Sequence, residues 1–368
     1  MKNRITNTLN YKFINNISFL DHVLQPPSYG WQDATGKLIK PSNKEIITEF
    51  FKRLNIFKDR RNWLPFFSWF KIACLIPFFF IFLTNYLTWW TVLAAFVYSM
   101  IIMGTHGTIW HHRYCTHGAY KFKNPFWRFV TQNLTISVIP EEIYVISHHV
   151  HHAKSDQPGD PYNAQAGFLY CFLADVNHQP ISKNLNEQDY NRVKSLMSHT
   201  GVPANSYHQY KKWGSYVPPV YAIVSSLLNW AFWYSVFFLI GGHPLACSLF
   251  GAAAFWGIGV RTFNYEGHAK GEDKQKEGTD FSVNDKSINQ VWPGIVAGEW
   301  HNNHHLFPKS ARSGFKPHQV DLAWYYIKLL HKLGAISSYR DDKKLFYKRY
   351  HNPYLEAKSN KKNEDIIA

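Results

Sequence analysis

The sequence predicts an all-α integral membrane protein: four transmembrane helices in two hairpins, with a cytosolic helical cap holding a di-metal site. Three observations carry the expectation. Four apolar runs, each near the ~20 residues a spanning helix needs, lie in two closely spaced pairs. Lys and Arg fall almost entirely outside those runs. Histidines gather in three short clusters at or beyond their ends.

The first run, residues 66–84, is the weakest, with Lys71 near its start and Pro77 inside. Residues 89–111 and 217–240 carry no Asp, Glu, Lys or Arg, and residues 244–263 carry only Arg261, at the end. Buried helices of a soluble protein rarely stay uncharged for this length. The connections at 84–88 and 241–243 are short and hold no Lys or Arg, so the runs pair as two hairpins. Of the 40 Lys and Arg, 11 lie in residues 1–65, 10 in 112–216 and 17 in 265–368. The positive-inside rule therefore places both termini and both large loops, 112–216 and 265–340, in the cytosol, at a bacterial inner membrane or the endoplasmic reticulum. This asymmetry accounts for the net charge of +15 without nucleic acid as a partner. The mean hydropathy of −0.30 averages over the runs and hides them.

The N-terminal segment, residues 1–65, has no apolar core of a signal peptide. Ser42 and Glu45 fit a capping box, and Ile46, Ile47, Phe50, Phe51, Leu54 and Phe57 follow at helical spacing among basic residues. The expectation is an amphipathic helix lying on the bilayer surface. The membrane domain then occupies residues 66–340, with a helix over Val320–Leu333 ended by Gly334. Residues 341–368 are charged and poor in apolar side chains, which predicts a disordered tail.

The four cysteines, Cys74, Cys115, Cys171 and Cys247, are scattered and form no CxxC pair, so any metal here is held by nitrogen. His148, His151 and His152, and again His301, His304 and His305, sit at i, i+3 and i+4, one face of a helix. His112 and His117 lie at the exit of the second run. They are about 140° apart on an α-helix, so either the helix ends between them or they bind different metals. His268 shares a helical face with Asn264 just past the fourth run. Nine imidazoles are too many for one ion and suit two; iron, zinc and copper all accept them. The remaining histidines are expected to be structural, His106 and His111 being nearest the site.

HRYCTH, HHVHHAKSD and HNNHH resemble the three histidine boxes of the integral-membrane fatty acyl desaturases, in particular the Δ9 stearoyl-type branch, as do GDPYNAQAGF and Asn264-xxx-His268. The resemblance spans roughly residues 65–310. It implies two iron ions held by His112, His117, His148, His151, His152, His268, His301, His304 and His305, with Asn264 reaching one iron through water. It further implies O2 as co-substrate, a cis double bond of Δ9 type in a saturated acyl chain, and a separate electron donor of ferredoxin or cytochrome b5 type, since no HPGG haem motif is present. Lys309, Arg312 and Lys316 are candidates to dock an acidic donor. Two features depart from the branch. His149 replaces an arginine inside the second box, and Ile146-Ser147 replaces the Arg-Asp pair that helps hold a CoA headgroup. Acyl-CoA, acyl-lipid and acyl-carrier-protein substrates therefore all stay open. The alternatives are an acyl-chain hydroxylase or other oxygenase on the same scaffold, and a metal-binding transporter, whose ligands belong at broken helices near the bilayer midplane.

Overall fold

A computed structural model describes residues 17–268, 292–296 and 299–367. Three helices are long and apolar enough to cross a membrane: Arg60–Asn85, Trp89–Thr116 and Pro219–Gly267. The expected third and fourth runs are joined in the last of these, which extends over 49 residues. It is not straight. Gly241 (φ −147°) and Gly242 (φ +65°) leave the helical region. A continuous helix would separate Tyr234 from Phe250 by about 24 Å at 1.5 Å per residue, yet their rings are 5.5 Å apart. The chain therefore reverses at the glycine pair, and the Tyr234 hydroxyl and His243 Nδ1, 2.8 Å apart, close the corner. Gly242 is needed here because its positive φ is strained for any residue with a Cβ.

The first long helix packs along the returning limb. A Cβ on Gly251 would stand 2.7 Å from Phe79 Cα, so the two backbones approach as closely as glycine allows. Around this contact Ile72, Leu75, Phe82, Ala246, Phe250, Ala253 and Trp256 form one apolar cluster. Irregular backbone over residues 133–138 is tucked between the helices. Its polar groups are met by Tyr98, Asn229, Trp230 and Trp233: the Ser137 N–H donates to Asn229 Oδ1, and both indoles donate to carbonyls of this segment. Such backbone is tolerable beside apolar helices only when protein groups satisfy it.

A second cluster packs the ends of the long helices against the regions outside them, and includes Trp110, Tyr114, Val145, Tyr190, Tyr216, Trp324 and Ile327. The all-α expectation needs one small correction. Tyr120–Phe122 and Ile336–Tyr339 pair as a two-stranded antiparallel sheet, tying the segment after the first histidine pair to the C-terminal region. The helix expected over Val320–Leu333 is found at Leu322–Lys332, capped by Asp321 and followed by Gly334 at φ +75°.

Residues 19–24 are not loose: Phe19, Val23 and Leu24 are buried in the second cluster. The predicted capping box forms at Ser42 and Glu45, opening a helix over Asn43–Leu54. That helix seats Ile46 and a buried Glu49–Arg53 ion pair against the protein and leaves Ile47 and Phe51 exposed. The disorder expected beyond residue 341 is corrected. Lys343–Phe346 and Asn352–Ile367 are helical, and Phe346 is fully buried, its ring 4.7 Å from that of Phe315. Composition underrated this stretch because one well-placed aromatic can anchor a charged segment.

Candidate metal centre

The end of the second long helix departs from α geometry. Thr108–Thr116 is a π-helix, and the His117 N–H donates to the His112 carbonyl, five residues back. The wider turn brings residue i+5 back over residue i, as is frequent at functional sites. The rings of His112 and His117 are 4.9 Å apart and face the same point: the helix ends at Thr116, between them, as one of the two readings of their offset expected, and they are not divided between two points.

The second box sits on the helix Glu141–Lys154 and the third on His301–Leu306. Each box splits the same way. Its i, i+4 pair goes to one point and its i+3 residue to another. His148 and His152 join His112, His117 and His304; His301 and His305 join His151 and His268. Within each group the ligating atoms all lie within 4.8 Å of one another. Five imidazoles thus converge on one point and four on a second.

Carboxylates fix the rings from behind. His112 Nδ1 faces Glu299 Oε2 at 2.7 Å, His151 Nδ1 faces Asp160 Oδ1 at 2.9 Å, and His268 Nδ1 faces Asp156 Oδ1 at 3.1 Å. A neutral imidazole has one N–H, and these contacts hold it on Nδ1, leaving Nε2 as a lone pair. Yet Nε2 of His151 lies 3.1 Å from Nε2 of His268, which lies 3.0 Å from Nε2 of His301. In the first group His112, His304, His152 and His148 form the same chain at 3.0–3.1 Å. Lone pairs pointed together at this distance repel unless a cation lies between them. Two nitrogens bound at right angles to one ion at ~2.1 Å would be about 3.0 Å apart, the spacing found. The donor set fits a metal at each point.

The protonation states agree. Burial first, and neighbouring imidazoles second, hold His117, His148, His152, His301, His304 and His305 well below the usual imidazole range, which favours the neutral form that could bind a metal. Burial pulls His151 down too, but Asp160 outweighs it and the net shift is upward. Burial would raise Glu299, but His112 and Arg113 hold it down to about 2. The buried polar atoms without a hydrogen-bond partner among the described residues include His117 Nε2 and Asn264 Oδ1. Asn264 lies one helical turn before His268, whose N–H donates to its carbonyl.

The family profile described as "Fatty acid desaturase" matches residues 87–347. The chain belongs to the fatty acid desaturase family. It is 26% identical to the Delta-9 acyl-lipid desaturase 2 of Arabidopsis thaliana, over 80% of this chain and 89% of that protein. It is 28% identical to the sn-1 stearoyl-lipid 9-desaturase of Anabaena variabilis, over 76% of this chain and 94% of that protein. It is also similar, at 24% identity over 80% of this chain and 77% of that protein, to the Icosanoyl-CoA 5-desaturase of Limnanthes douglasii. The chain is thus an oxidoreductase with histidine clusters that could bind metal.

Two histidines of this desaturase near the centre lie outside both groups. His106 and His111 are spent on backbone: His106 Nε2 is 2.8 Å from the Thr131 carbonyl and His111 Nε2 is 3.1 Å from that of Ile139. Ile146 and Ser147 are fully buried, and Ser147 Oγ is bonded within its own helix and to the Tyr162 hydroxyl. Arg312 turns inward, stacking on Trp324 and donating to the Gly314 carbonyl. Sequence reading missed Glu299, Asp156, Asp160 and Arg113. Their signal was available: Asp156 follows His152 by four residues, and Glu299 precedes His301 by two. Tyr144, stacked on His148 at 5.2 Å, was missed as well.

Proposed function

We propose that this chain is an O2-dependent fatty acyl desaturase that introduces a cis double bond of Δ9 type into a saturated acyl chain, using two iron ions held by the nine histidines. The observation that carries the reading is the convergence of nine imidazoles, from segments nearly 200 residues apart, on two neighbouring points. His112, His117, His148, His152 and His304 would hold one ion; His151, His268, His301 and His305 the other, with Asn264 completing it through a water. Bound iron, with O2, would supply the oxidising power to take hydrogen from unactivated methylenes, which no side chain can do. The balance is one CH2–CH2 unit, O2, two electrons and two protons giving CH=CH and two waters.

The chain's own part is placement and exclusion. The carboxylates behind the rings hold each Nε2 toward the ion. Tyr144 and Tyr162 wall the imidazoles with aromatic surface and keep water out. Four spans are proposed, the two limbs of the glycine-hinged helix crossing separately. Pro219 to Ile240 alone is about 33 Å at 1.5 Å per residue, enough for a ~30 Å hydrocarbon layer. With the basic stretches all on one side, the termini and the metal centre face the cytosol. Electrons come from a separate ferredoxin or cytochrome b5 type donor, for which Lys309 and Lys316 offer basic surface.

The test is expression in a host that lacks unsaturated fatty acids, with double bonds mapped in each lipid class. Acyl chains short of two hydrogens support the proposal. Chains that gain one oxygen instead identify a hydroxylase on this scaffold, and unchanged chains under an active donor overturn both. Buried Ile146 and Ser147 cannot grip a CoA headgroup, so carriers are distinguished by which lipid class is labelled first.

A further inference from the structure

The two histidine groups are backed by unequal charge. Behind the group of four stand two carboxylates. Asp160 is fully buried and accepts from the Asp156 and Tyr162 N–H groups besides facing His151. Asp156 is a third exposed and faces His268, on a backbone at φ +60° that few residues other than glycine adopt. Among the described residues neither makes an ion pair with Lys or Arg.

Behind the group of five, among the described residues, stands Glu299, facing His112 Nδ1 at 2.7 Å and His304 Nδ1 at 3.8 Å, and its charge is already engaged. Arg113 contacts Glu299 Oε1 at 2.6 Å and Asp321 Oδ1 at 2.9 Å, and donates to the Ala311 carbonyl at 2.7 Å. All three charged groups are buried. Among the described residues, the group of four therefore carries two negative charges that no Lys or Arg compensates. The group of five carries a triad whose single excess charge belongs to Asp321, on the far side of the arginine.

Resting on the two-metal reading above, we infer that Asp156 and Asp160 make the His151, His268, His301, His305 site the tighter of two unequal metal sites, while the Glu299–Arg113 pair sets the weaker one. A carboxylate behind a histidine ligand typically contributes 10- to 100-fold in metal affinity. The group of four has two such contributions at full strength, and the group of five has one, opposed by Arg113. The fifth imidazole works the other way, but it brings no formal charge. A divalent ion is therefore expected to fill the group of four first.

The test is a cobalt(II) titration of the full-length, metal-depleted protein in detergent, read by absorbance, with thermal melting of each apo variant as the folding control. The wild type is expected to bind in two resolved steps. Asp156→Asn and Asp160→Asn should each weaken the first step 10- to 100-fold and leave the second unmoved. Asp160→Glu should recover part of the loss, which a merely structural role would not do. Glu299→Gln should weaken only the second step. Asp156, being partly exposed, carries the test if Asp160→Asn fails to fold. A single step, a Glu299→Gln shift in the first step, or aspartate variants that move only the second step would each overturn the inference while sparing the two-metal reading. Wild-type protein that takes up no cobalt would sink that reading too.

Discussion

Replacing Arg113 with Met tests whether the charge network behind the first histidine pair organises the centre. Arg113 is 1% exposed. Its guanidinium serves Glu299, Asp321, the Ala311 carbonyl and the Ser313 hydroxyl, and so links the first box to the third-box segment and to the N-cap of the Leu322–Lys332 helix. Met matches the stem but leaves two buried carboxylates without their cation. Breaking a buried pair by removing one partner costs about 3–5 kcal/mol, against a typical total stability of ~5–15 kcal/mol. The expected result is a loss of at least ~3 kcal/mol in denaturant unfolding of the detergent-solubilised protein. Arg113→Lys keeps a charge but not the fork that bridges both carboxylates, so it should recover only part. In a Glu299→Gln background one orphaned charge is gone, and the cost of Arg113→Met should shrink by ~0.5–3 kcal/mol. A change below ~1 kcal/mol on Arg113→Met, or strict additivity in the cycle, would refute the reasoning.

Other outcomes follow from single side chains. Burial raises the Glu142 carboxyl to about 7, even though it accepts the Tyr216 and Val217 N–H groups. The unfolded group ionises near 4.5 and the folded one near 7, so the unfolded state loses its proton first. Stability should then fall as pH rises through that window, by roughly 3 kcal/mol, and Glu142→Gln should flatten the profile of unfolding against pH. Gly251→Leu drives a side chain into the Phe79 backbone and should cost ~1–3 kcal/mol, seen as lower yield and melting temperature. His305→Ala should lower bound iron from about two ions per chain toward one. His106→Gln, which alters a histidine bonded among the described residues to Thr131 and Thr135, should leave the metal content unchanged.

The gathering of the histidines was legible because HxxHH fixes three imidazoles on one helical face whatever the tertiary structure. Their division was not. Which point His151 or His304 serves depends on how two helices about 150 residues apart meet. The convergence of His112 and His117 was hidden because sequence spacing assumes an α-turn, and here the turn is π. Helices long and apolar enough to cross a membrane were legible from uncharged length, and the reversal from the short connection at Gly241-Gly242. Asp160 and Glu299 looked like ordinary loop acids, since nothing local tells a carboxylate that it will end beside an imidazole. The helical C-terminal stretch was misjudged for a similar reason: Phe346 finds its pocket only in three dimensions.

The most direct test of the account is the iron stoichiometry of anaerobically purified, full-length protein, measured with Mössbauer spectra on the same sample. The account predicts two irons per chain, in two distinguishable environments. One iron per chain, or two in identical environments, would contradict it.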